Sequence, residues 1–105
     1  MTIIYNKLVR DRIPEIIEAD GKICKTRILT DEEFLRYVDE KLDEELAEYH
    51  RDGNVEELAD LLEVIRAAAA ARGSSIEEVE AIRARKAEKR GGFDKKILLI
   101  EVEEK

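Results

Sequence analysis

Along Phe34, Val38, Leu42 and Tyr49 the apolar residues return at steps of four and seven, the spacing of one face of a helix. The vacant slot on that face, between Leu42 and Tyr49, is filled by Glu45. The pattern has a start and a stop. Thr30 with Glu33 forms a capping box, and Leu29 with Phe34 is placed as a hydrophobic staple. The helix runs to about His50, and Gly53 supplies a C-terminal cap. Asn54 caps a second helix that continues through the alanine run to about Arg72. Its apolar arc holds Leu58, Leu61, Leu62, Val64 and Ile65, and Glu57 projects between Leu61 and Val64. Ser75 with Glu78 makes another capping box and opens a third helix, which ends before Gly91-Gly92. Upstream, Pro14 suits the first turn of a short helix that Gly21 ends. KICKTRIL alternates with a period near two, and KKILLIEVEE is rich in β-formers, so the two are expected to pair. The pattern predicts a single domain over residues 1–105. It is mainly α, an antiparallel helical bundle with a small two-stranded β-ribbon from residues near 22–29 and 96–103.

Composition sharpens this picture. With 105 residues, 43% of them charged, 5% aromatic and no Trp, each helix can bury only a narrow stripe, and self-association would supply missing core. A net charge of −7 argues against broad binding to nucleic acid or anionic membranes. An anionic ligand would therefore need a local cationic patch or a metal ion. The lone cysteine, Cys24, has no internal disulfide partner, and a reducing, cytoplasmic setting is expected. Paired with His50 it could suggest a nucleophile, but its place in an apolar-alternating run reads as a small core residue. No leader pattern and no membrane-spanning apolar run is expected.

The chemistry concentrates at the turn between the two longer helices, EELAEYHRDGNVEELAD. Acidic pairs three apart are common in a chain with 26 carboxylates; the position of these two pairs is not. Glu48 and Glu57 lie equally far from the turn, as do Glu45 and Asp60, so an antiparallel pair would set them facing at two levels. Carboxylates in an apolar seam are costly without a compensating cation or proton. Four such side chains with no His or Cys suit a hard divalent ion, Mg²⁺ with Mn²⁺ as a substitute. The plainer reading stands beside it: Glu57 completes a capping box with Asn54, Glu45 pairs with Lys41, and Glu48 is solvated.

These residues resemble a family. EELAE followed by EELADLLEVI looks like the E-x-x-E…E-x-x-D signature of the all-α nucleoside triphosphate (NTP) pyrophosphohydrolases, the MazG-like enzymes, over roughly residues 30–93. YNKLVRDRIPEII and KRGGF are similar to strings in small phosphoribosyl-ATP pyrophosphohydrolase-like members. The resemblance implies a hydrolase with Mg²⁺-dependent cleavage between the α- and β-phosphates of a nucleotide, giving a monophosphate and pyrophosphate. It also implies a bundle completed by a second subunit, as a homodimer or dimer of dimers. Carried over, Glu45, Glu48, Glu57 and Asp60 are the metal ligands. The gap between the acidic pairs is shorter than in many members, which leaves open which carboxylate holds which ion. Glu63-Val64 stands where phosphoribosyl-ATP enzymes tend to have an aromatic and a histidine, which argues against a role in histidine synthesis. That role remains one alternative; a non-enzymatic helical dimerisation module is another.

For the reaction, Glu48 or the outer Glu44 would orient or deprotonate the attacking water. Arg83, Lys86 and Arg90 share one face of the third helix, with Lys89 beside them. Lys86, Lys89 and Arg90 are the candidate phosphate donors there, against a plain role for basic residues at a helix C-terminus. Lys7 and Arg10, with Asp11, form a second candidate substrate cluster on a loop, against a surface pair between Arg10 and Asp11. Tyr5, Tyr49 and Phe93 could stack on a base, although core packing fits each better.

Overall fold

The structure, a computed structural model, describes residues 1–104. It contains four helices in chain order: α1 (Ile13–Ala19), α2 (Asp31–Asp52), α3 (Val55–Ala71) and α4 (Ile76–Arg90). Their boundaries follow local chemistry. Thr30 Oγ1 accepts from the Glu33 backbone N–H, and the Glu33 carboxylate accepts in return from the Thr30 N–H, so two donors at the start of α2 are satisfied together. Gly53 closes α2 with φ of 62°, a left-handed conformation that costs glycine little. Asn54 follows at once as the cap of α3, accepting from the Glu57 N–H at 3.0 Å. Ser75 accepts from the Glu78 N–H, but the glutamate makes no return bond, so only half of the expected box forms.

This two-residue Gly53-Asn54 turn folds α3 back along α2. At the far end Arg72 Nη2 lies 3.5 Å from Asp39 Oδ2, joining the residue that closes α3 to the first half of α2, as an antiparallel pair requires. Val38, Val64 and Ala69 are buried, and Phe34, Leu42, Tyr49 and Leu61 are half-buried around them. The stripe expected on α2 is therefore the packed one. The arc expected on α3 divides: Val64 faces the core, while Leu58, Leu62 and Ile65 remain exposed. One helix cannot turn more than a narrow stripe toward a single partner. Helix α4 packs against α3 and contributes no buried residue.

One expectation is overturned. Among the described residues there is no strand, and both 22–29 and 96–103 carry no regular secondary structure. The β-ribbon is absent because a strand exists only through its partner's hydrogen bonds, and within one chain these segments do not meet. Most of their apolar side chains lie exposed, Cys24 and Leu29 being half-buried; Tyr5 and Phe93, for which core packing had been the better fit, are exposed too. Among the described residues no helix is long and apolar enough to cross a membrane.

Candidate metal and phosphate site

The α2–α3 hairpin brings carboxylates from both arms together. One oxygen each from Glu45, Glu57 and Asp60 lies within 4.8 Å of the others. Glu45 comes from the packed stripe of α2 and is 8% exposed. Its Oε1 has a weak contact with Lys41 Nζ at 3.6 Å, whereas its Oε2 is buried with no hydrogen-bond partner. Glu57 Oε2 is in the same state. Asn54 caps α3 without any return bond from Glu57, so the capping-box explanation for this acid does not hold. Buried polar atoms without partners are rare, because each forfeits its hydration.

Electrostatics report the same strain. Burial, then the neighbouring carboxylates of Glu48 and Asp60, push the Glu45 carboxyl above its ordinary value, with Lys41 opposing. Glu57 is raised by burial and by the charges of Glu48, Asp60 and Asp52. Glu48 thus stands close enough to press on both acids, although it lies outside the three-oxygen group. The donors suit a hard cation: with bonds of about 2.0–2.6 Å, oxygens around one such ion lie no more than ~4–5 Å apart, and these three carboxylates fall within that limit.

Cations from the N-terminal segment close over the cluster. Arg10 Nη2 donates to Asp60 Oδ1 at 2.8 Å, so Arg10 pairs with α3 and not with its neighbour Asp11. Lys7 Nζ donates to Glu44 Oε1 at 3.0 Å, and Lys41 donates to Glu44 Oε2 at 3.3 Å. Burial works against ionised Glu44, but the two lysines outweigh it and hold its carboxyl below the ordinary value. The Glu44 bond in turn raises Lys7. Glu44 is therefore bound in a cationic bracket beside the cluster, which suits it to fixing Lys7 better than to taking a proton. Between them Lys7, Leu8, Tyr37, Glu40, Lys41 and Glu44 line a cavity of about 30 Å³, room for one water and far below the several hundred Å³ of a nucleoside pocket.

The α4 cations are not brought to the cluster. Arg83 is held by Glu80 on its own helix at 2.6 Å. Lys86, Lys89 and Arg90 stand exposed, and among the described residues none forms an ion pair. The charged residue whose part was least legible is Lys41. Its spacing from Glu45 was visible, but its simultaneous hold on Glu44 depends on side-chain placement.

No family model matches the chain, and no solved structure matches it. An uncharacterized protein of Mycolicibacterium smegmatis is 55% identical over 42 residues, 40% of this chain and 43% of that protein. The matched stretch is thus less than half of either.

Proposed function

We propose that the protein is a Mg²⁺-dependent nucleotide pyrophosphohydrolase that cleaves between the α- and β-phosphates of a nucleoside triphosphate, a house-cleaning hydrolase. The single observation carrying this reading is the buried Glu45, with one carboxylate oxygen unpartnered and two further acids of α3 within 4.8 Å. A buried carboxylate oxygen left without a partner inside a helical seam is destabilising unless a cation completes it. Glu45, Glu57 and Asp60 would hold a divalent ion, with Glu48 adjoining. When bound, the ion would neutralise charge on phosphate oxygens and lower the pKa of a water.

The chain's own residues supply the rest. Glu48, half-buried at the edge of the seam and outside the three-oxygen group, would orient the attacking water. Arg10 and Lys7 stand beside the acids and would shift from them to the polyphosphate, whose oxygens match the forked guanidinium better than a single carboxylate contact does. Lys86, Lys89 and Arg90 would serve phosphate only if a second subunit carried them to this site. The homodimer implied by the family resemblance would do that and enlarge the small cavity.

The test is a panel of nucleoside triphosphates, including modified ones and phosphoribosyl-ATP, incubated with Mg²⁺ while pyrophosphate is measured. Pyrophosphate release is expected, with Glu45→Gln inactive. Orthophosphate as the sole product, or no turnover of any substrate, would count against the proposal. A Glu45→Gln chain that turns over normally would remove its central residue.

A further inference from the structure

Residues 22–29 and 97–104, two of the stretches without regular secondary structure, are poorly suited to water. Ile23, Ile28, Val102 and the run Ile97–Ile100 are between 75% and 99% exposed. Both carry the β-branched and leucine-rich composition of strands, and unpaired segments of this kind are templates for another chain. Their charges are opposite. Residues 22–29 hold Lys22, Lys25 and Arg27 with no acid, and residues 97–104 hold Glu101, Glu103 and Glu104 with no cation. Pairing either segment with its own copy would set like charges opposite, which is destabilising in a ladder. Pairing one with the other joins unlike charges.

The whole chain argues that this pairing lies between molecules. Its radius of gyration is 18.6 Å, with extents of 66 × 31 × 23 Å, against about 13 Å for a compact domain of this length. Within one chain neither segment has a strand partner: residues 97–104 lie exposed, and residues 22–29 are tied through side chains, Arg27 to Glu33 and Cys24 to the Pro14 carbonyl. We infer that residues 97–104 of one copy pair antiparallel with residues 22–29 of a second copy, reciprocally, so that the β-ribbon exists only in the dimer. One register joins side chains of like polarity or unlike charge at most positions, while it sets Arg27 opposite Leu99 and Ile23 opposite Glu103. It sets Ile28 opposite Leu98, Thr26 opposite Ile100 and Cys24 opposite Val102, with Lys25 facing Glu101 and Lys22 facing Glu104. The inference does not rest on the pyrophosphohydrolase reading, since the exchange would hold in a chain without activity.

The test reads assembly alone. The full chain should sediment as a dimer. Oxidised Val102→Cys, joined through the native Cys24, should run as a covalent dimer on a non-reducing gel. Lys25→Glu and Glu101→Lys should each weaken the dimer roughly five-fold, the effect of two reversed cross-strand pairs. Mixing these two variants should restore a heterodimer of near-native affinity, because each mixed interface regains both unlike pairs; circular dichroism checks that each variant keeps its helices. A monomeric native chain overturns the inference. So does a disulfide formed within one chain, an absent cross-link with unchanged variant affinity, or rescue seen only when both substitutions occupy one chain.

Discussion

At Glu45, chemistry and stability pull in opposite directions. Its carboxyl is raised chiefly by burial, so at neutral pH the folded state carries a charge that the unfolded chain would hold more cheaply. A raised carboxyl contributes stability only as pH falls and it gains a proton. Glu45→Gln is therefore expected to raise the thermal midpoint of the metal-free protein and to weaken Mg²⁺ affinity by at least about tenfold, the cost of even an outer-shell change. Melting curves with and without Mg²⁺ read both effects, since a ligand of the folded state raises its midpoint. Arg10 makes the complementary case. Its pair with Asp60 is half-exposed, and such pairs contribute about 0.2–1 kcal/mol, weak enough for a metal ion to displace. Arg10→Ala should tighten Mn²⁺ binding up to about five-fold in calorimetry without nucleotide, yet raise KM for the nucleotide. Unchanged values for both would remove Arg10 from the site.

At the scale of elements, the start of α2 is the most heavily fastened point of the chain. Both Nη atoms of Arg27 donate to the Glu33 carboxylate, at 3.0 and 2.7 Å. With the Thr30 backbone N–H, this pair holds Glu33 at about 2 against an ordinary 4.5. A lowered carboxyl lends stability above its unfolded value and loses it as pH falls through the folded one. The advantage of native protein over Glu33→Gln should thus be full near neutrality and shrink from pH 4.5 toward about 2, as read by melting across that range. Thr30→Ala should cost about 1 kcal/mol through the lost cap. The opening of α2 was legible because a capping box is local in sequence, complete within four residues. The ribbon was not so legible, because alternation marks a segment as able to pair without naming which chain holds its partner.

For the molecule as a whole, the buried core is small: among the described residues Val38 is the one fully buried large side chain, with Val64 and Ala69 also buried. The exposed stripe of Leu58, Leu62 and Ile65 on α3 and the apolar arms lie outside it. A chain that completes its core by association has a stability tied to its concentration. The thermal midpoint should accordingly rise by several degrees per hundredfold increase in protein, and a midpoint independent of concentration would indicate that the single hairpin suffices.

Helix boundaries, the facing of Glu45 toward α3 and the gathering of acids at the Gly53 turn were set by sequence alone, because caps, periodicity and turn symmetry act over a few residues. Tertiary structure decided which acids meet, withdrawing Glu44 to Lys7 and Lys41 and bringing Arg10 across to Asp60. It also left the α4 cations away from the cluster and the two β-prone segments unpaired. Those outcomes depend on distances between residues dozens of positions apart, which packing fixes and local pattern does not encode.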